Sequence, residues 1–178
     1  MNEPKYVGID SAATTGWAFI ASSRSGTTHH WECGVIRADS PQKYDVLEFA
    51  KEHGVTHACI EKPAPFTGSH AHVATSMNIS YGRWEEACCR CGLIVVPCFV
   101  SQWQAAMLVL NGVRLRQNDK KEASTLIAKT LGACPRNGDE ADAVCLAAYG
   151  PAALAKAAEK VEEKRVARNA KARARRKS

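Results

Sequence analysis

KYVGIDSAATTGWAFIA, residues 5–21, is two short apolar runs hinged on a Thr/Gly turn, and the first run stops on a carboxylate, Asp10. Residues 5–10 and 16–21 read as strands, and HHWECGVI at 29–36, after the turn signal Ser25-Gly26, reads as a third. Three strands on short turns predict an antiparallel meander. Residues 41–53 then carry Tyr44, Leu47 and Ala50 at helical spacing, with Gly54 as a stop. VTHACIE at 55–61 is a strand again, and it too ends on a carboxylate, Glu61.

Beyond that strand, KPAPFTG at 62–68 is a loop, because two prolines forbid a regular continuation. A long helix is expected over 72–91, where Met77, Tyr81, Trp84, Cys88 and Cys91 draw one apolar stripe. LIVVPCFV at 93–100 is apolar enough for a strand covered on both faces. A helix over 102–110, a basic loop over 111–118, a helix over 119–131 with Ala123, Leu126, Ile127 and Thr130 inward, and a last core helix over 138–149 complete the order. This order predicts an α/β fold and matches the ribonuclease H-like arrangement. That arrangement is a mixed five-stranded sheet, three antiparallel strands followed by parallel ones, with helices on both faces.

The net charge of +6 is unevenly spread. The last 28 residues hold ten Lys and Arg against three Glu, whereas residues 1–150 are nearly neutral. We therefore expect one domain over 1–150 and a basic, helical or disordered tail over 151–178. Such a tail suits a polyanion such as nucleic acid; its plainer reading is a solvated, solubilising segment. No run of 18 apolar residues exists and residues 1–5 do not resemble a secretory signal, so no membrane contact is expected and the location is read as cytoplasmic. The eight cysteines then read as free thiols.

Four carboxylates carry the chemical reading. Asp10 and Glu61 end strands that, if parallel neighbours, deliver both to one sheet edge. Asp139 and Asp142, spaced i, i+3 in the first turn of the last core helix, share one face. Such a cluster is costly unless a cation bridges it, and magnesium suits an all-oxygen site. Two ions about 3.5–4 Å apart could activate water and stabilise the leaving oxygen of a phosphodiester. Singly, each acid has a plainer reading: a strand-end turn residue for Asp10, a surface partner of Lys62 for Glu61, a helix-dipole acid for Asp139.

Taken together, VGIDSAATTGWA at 7–18, CIEKP at 59–63, DKKEAS at 119–124 and DEADAVCLA at 139–147 resemble the RuvC family of Holliday junction resolvases, its phage and poxvirus relatives in particular. The resemblance spans residues 5 to about 150. It implies that Asp10, Glu61, Asp139 and Asp142 are catalytic metal ligands for magnesium, two ions per site with manganese able to substitute. It matches the family's lysine to Lys121, with Lys120 the lesser match. It further implies a homodimer that nicks opposed strands of a four-way DNA junction, with no small-molecule cofactor. Bacterial members place a base-stacking phenylalanine close after the glutamate; in EKPAPF that residue, Phe66, comes two places later. The first turn is about one residue shorter than in bacterial members, and the basic tail is extra, which leans towards the phage type.

Arg114, Arg116, Lys120, Lys121 and Lys129 form a basic stretch expected to contact phosphates, Lys121 beside the metals, or else a solvated face. The 77–91 stripe is a candidate for packing near a dimer face, or equally for facing only its own sheet. Cys88 and Cys91 sit on that stripe as small hydrophobes rather than zinc ligands. His70 and His72 receive no catalytic role. Competing functions are a different nuclease of the same fold, acting on flaps or RNA–DNA hybrids, and a non-catalytic branched-DNA-binding module. A sugar-kinase or actin-like ATPase, suggested by D-x-x-x-x-T-G from Asp10, needs two such domains and far more chain.

Overall fold

The computed structural model describes residues 4–22, 29–63, 71–108 and 117–175. Its elements are β1 (Lys5–Asp10), β2 (Thr14–Ser22), β3 (His29–Arg37), α1 (Gln42–Glu52), β4 (Val55–Lys62), α2 (Ala71–Arg90), β5 (Ile94–Phe99), α3 (Val100–Met107), α4 (Gln117–Thr130) and α5 (Gly138–Arg175). The five strands form one sheet in the order β3-β2-β1-β4-β5. β1–β2 and β2–β3 pair antiparallel, and β1–β4 and β4–β5 pair parallel. This is the mixed ribonuclease H-like sheet the sequence predicts.

Strand parity sorts the side chains into two layers. Val7 and Ile9 of β1 and Ala58 and Ile60 of β4 point into a core with Leu47 and Ala50 of α1 and Tyr81, Trp84 and Cys88 of α2. Tyr6, Cys59, Val96 and Cys98 face the other way, onto Trp103 of α3, Ala123 of α4 and Cys145, Leu146 and Tyr149 of α5. Helices therefore cover both faces, and α5 runs across the centre of its face. Two glycines admit it. A Cβ on Gly8 would collide with the Ala143 carbonyl and the Ala147 amide nitrogen, and one on Gly16 with the Asp139 carbonyl. Alanines at 141, 143 and 147, all buried, complete the close approach from the helix side.

Three expectations change, and one open reading is decided. β5 is an edge strand rather than one covered on both faces: Ile94 is 56% and Phe99 37% exposed. Pro97, which cannot donate a ladder hydrogen bond, is tolerated at such an edge. On α4 the buried residues are Ala123, Ser124 and Ala128, whereas Leu126 and Thr130 are exposed. Small side chains let α4 lie close on α5, so size rather than hydrophobicity chooses the inner face. The α2 stripe faces its own sheet, one of the two readings the sequence allows, with Tyr81, Trp84, Cys88 and Cys91 buried in that core. Finally, α5 does not stop near 150 but continues through Pro151, because Ala-rich sequence on both sides sustains it. Its stretch 155–168 is exposed. All eight cysteines are free, and among the described residues no helix is long and apolar enough to cross a membrane.

Candidate active site

Parity and register together aim two carboxylates at one place. Asp10 shares the α5 side of β1 with Tyr6 and Gly8, and Glu61 shares the α5 side of β4 with Cys59. They stand one step beyond the Ile9–Ile60 pairing of these parallel strands. The Ser11 hydroxyl donates to the Glu61 backbone carbonyl, tying the two strand ends together. Asp10 also pairs in register with Gly16, over which the Asp139 backbone passes. Local turn chemistry holds the β1–β2 connection: Thr15 donates to the Ala12 carbonyl at 2.7 Å, and the buried Trp84 indole of α2 donates to Thr15 at 2.9 Å.

Asp10, Glu61, Asp139 and Asp142 line a single cavity of about 560 Å³, together with Lys120, Lys121, Glu122, Val100, Trp103 and Gln104. α5 brings its pair from different turns, Asp139 in the first and Asp142 in the next. The Asn137 side chain accepts from the Glu140 amide at 2.9 Å, capping the helix start. Glu140 itself points away. It is fully buried and receives the Arg136 backbone amide at 2.7 Å and the Arg136 guanidinium at 2.8 Å. Of the three acids in DEAD, then, one is structural and two face the cavity.

The electrostatics express crowding. Burial, then Glu61, Asp142 and Asp139 in turn, hold Asp10 well above the ordinary carboxylate range, with Lys121 alone opposing them. Burial pushes Glu61 up to about 7, against a lowering hydrogen bond from the Trp103 indole, which donates to its carboxylate at 2.7 Å. Burial also raises Asp142, offset in part by Ser124 and Lys121. The exposed Lys121 ammonium lies 3.9 Å from Asp139.

The donor set fits a hard divalent cation. It is all oxygen, carries more negative charge than its neighbours balance, and holds at least one carboxylate out of water on a single indole hydrogen bond. Among the described residues no three of Asp, Glu, His or Cys already stand as a closed metal cluster; the acids border a shared cavity, as Asp10's response to the other three also reflects.

That excess charge has a pH signature. The folded chain binds a proton at Glu61 up to about pH 7, whereas the unfolded chain releases it near 4.5. Stability present below about 4.5 is therefore lost as pH rises through 7, by roughly 3 kcal/mol from this group. We expect the metal-free protein to melt several degrees lower at pH 8 than at pH 5, magnesium to restore the loss, and Glu61→Gln to reduce the dependence, the raised Asp10 and Asp142 keeping the remainder. Thermal melts in chelator and in magnesium check this; a wild type whose melting point ignores both would contradict it.

Several cavity residues escaped the sequence reading. Trp103 and Gln104 are brought to Glu61 only by the tertiary fold, and Glu122 reads locally as one more surface acid. Ser124, buried on α4 and hydrogen-bonded to Asp142, was missed too, because the inner face expected for that helix did not include it. Lys120 and Lys121 line the cavity, and Lys129 lines an adjoining hollow of about 450 Å³ with Lys121, Thr125 and Leu126. Arg114, Arg116, Phe66 and His70 lie outside the described residues. His72 is exposed.

The fold and the placement of this cavity define a ribonuclease H-like α/β protein. Among solved structures, T. thermophilus RuvC in complex with Holliday junction substrate aligns with a TM-score of 0.57 and 18% identity, over 82% of this chain and 90% of that chain. A second Thermus thermophilus RuvC structure gives 0.57 and 20%, over 80% and 90%. The fowlpox virus resolvase, bound to substrate Holliday junction DNA, aligns with a TM-score of 0.39 and 10% identity, over 80% and 91%. No protein-family model and no curated protein matches the sequence. The chain is thus structurally similar to RuvC, and at this identity the likeness establishes the fold.

Proposed function

We propose that the chain is a magnesium-dependent endonuclease that hydrolyses phosphodiester bonds at four-way DNA junctions, working as a homodimer with two ions in each site and manganese able to replace them. The observation that carries this reading is the meeting of Asp10, Glu61, Asp139 and Asp142, from three separate elements, around one cavity. These four would hold the ions. Bound there, such a cation lowers the pKa of water and neutralises charge on a leaving oxygen.

The remaining work falls to the chain. Trp103 fixes one Glu61 oxygen through its indole N–H, so the other oxygen keeps a defined direction. Lys121, exposed at the rim beside Asp139, is placed to meet a non-bridging phosphate oxygen and offset its charge. Lys120 and Lys129 extend the cationic rim. An isologous dimer would present two equal sites to the near two-fold symmetry of a four-way junction.

The test is cleavage by the purified protein in magnesium of a synthetic four-way junction, a flap, an RNA–DNA hybrid and a linear duplex of shared sequence. Paired nicks in the junction, at least about tenfold faster than cuts in the other substrates, are expected, a margin of roughly 1.4 kcal/mol in the barrier. Equal cutting of the linear duplex would reassign the chain to a less selective nuclease of this fold. Binding without cutting, in magnesium or manganese, would leave a DNA-binding module.

A further inference from the structure

A second concavity, of about 360 Å³, lies on the far side of α3 from the carboxylates. α3 is the wall between them: Val100, Trp103 and Gln104 line the acidic cavity, while Gln102 and the preceding Phe99 line the second. The floor is the edge of the sheet, where Lys62 pairs in register with the partly exposed Phe99. The opposite wall is the exposed continuation of α5, which contributes Lys156, Lys160 and Lys164. Among the described residues the lining thus holds three lysines of α5 and no carboxylate, while Lys62 forms part of the floor with its ammonium turned towards the Tyr81 ring of α2, 5.7 Å from its centroid.

The lysines of the tail helix recur on one side, with acids on the neighbouring side, and the groove itself is lined by the lysines. Lys156, Lys160 and Lys164 recur at i, i+4 and i+8, so they form one row about 12 Å long. Glu159, Glu162 and Glu163 line the neighbouring surface around Val166, Glu159 near enough to Lys156 to help the Tyr149 hydrogen bond raise its pKa, and none of the three lines the groove. Arg165 is paired within the helix to Glu162 at 2.7 Å. Lys156 is steered into the groove, where it donates to the Tyr149 hydroxyl at 3.1 Å. A row of that length spans about two or three successive phosphates of one DNA strand, which follow the strand's helical path rather than its axis. The exposed Phe99 ring offers an apolar face beside it for a sugar or base.

We infer that this groove is a second DNA-backbone site, binding the phosphates of a strand that passes over the start of α3 from the acidic cavity, with Lys156, Lys160 and Lys164 as its contacts. The inference rests on the DNA-directed reading above. It goes beyond it by assigning the tail's contribution to one lysine row on a folded groove rather than to diffuse positive charge.

The test compares full-length wild type with two triple variants in chelator, where no cutting occurs, using fluorescent four-way junction and linear duplex probes over a salt series. One variant carries Lys156→Gln, Lys160→Gln and Lys164→Gln. The other is a charge-matched control on the opposite face of the sheet, Lys51→Gln, Arg83→Gln and Arg90→Gln. The groove variant should bind the junction at least about tenfold more weakly near 0.15 M salt, with the log K against log salt slope shallower by about 2–3, at roughly 0.9 for each phosphate no longer neutralised. The control should keep the wild-type slope. All three groove lysines are exposed, so the variant's melting point should match wild type. A groove variant with the wild-type slope, or a control that weakens as much, overturns the groove assignment alone, since wild-type binding and cleavage remain. A wild type that binds neither probe overturns both this inference and the junction reading.

Discussion

Replacing Asp10 with Asn lowers junction cleavage by on the order of 10³-fold or more, while junction binding stays intact or tightens. The size follows from the charge removed. A cation at such a site supplies several kcal/mol of transition-state charge stabilisation, and about 4 kcal/mol corresponds to a thousandfold in rate. Asn preserves the shape of the strand end and its register with Gly16, so neither the sheet nor the cavity wall is disturbed. The direction of the binding effect comes from the same crowding that raises Asp10, since Glu61, Asp142 and Asp139 all oppose its ionisation. A neutral residue there relieves that repulsion and leaves the cavity less hostile to a phosphate. The variant should also melt higher than wild type in chelator at pH 8, a readout independent of cleavage. Cleavage within tenfold of wild type would remove Asp10 from the reaction and with it the reading of the cavity as a nuclease site.

The second large effect is on folding. Gly8→Ala adds one methyl group where the α5 backbone lies against β1, and that methyl would collide with the Ala143 carbonyl and the Ala147 amide nitrogen. Backbone on backbone cannot give way as a side chain can, so β1 and α5 must separate, and the Asp139 and Asp142 pair moves with the helix. Overpacking of this kind costs about 3 kcal/mol or more, which for a chain of this size lowers the melting point by about 6–12 °C. Gly82→Ala is the internal control. It sits in α2 with nothing within 4 Å of the added Cβ, and a mid-helix alanine there should stabilise by about 0.5–1 kcal/mol. Chemical denaturation of the two variants beside wild type measures both. A Gly8→Ala protein as stable as wild type would mean that α5 does not lie flush on the sheet.

Much of this arrangement was legible before any coordinates. The short apolar runs at 5–10 and 55–61, bounded by turn and loop residues, determined two strands and placed Asp10 and Glu61 at their ends, because a run of that length and composition is a local property. The i, i+3 spacing of Asp139 and Asp142 determined that they share a helix face, for the same local reason. What only the tertiary structure decided lies in how elements meet. The Trp103–Glu61 hydrogen bond joins residues 42 apart in the chain. Glu140 is drawn into the structure by Arg136 while its neighbours in DEAD face the cavity. Leu126 stays outside because a helix packed through Ala123, Ser124 and Ala128 can approach α5 more closely. The lysine row at 156, 160 and 164 becomes a groove only because α5 outruns its own core and passes beside the β5 edge. Period and spacing are written within a few residues and survive wherever an element is placed; which faces meet depends on shape, and shape exists only once the layers have packed.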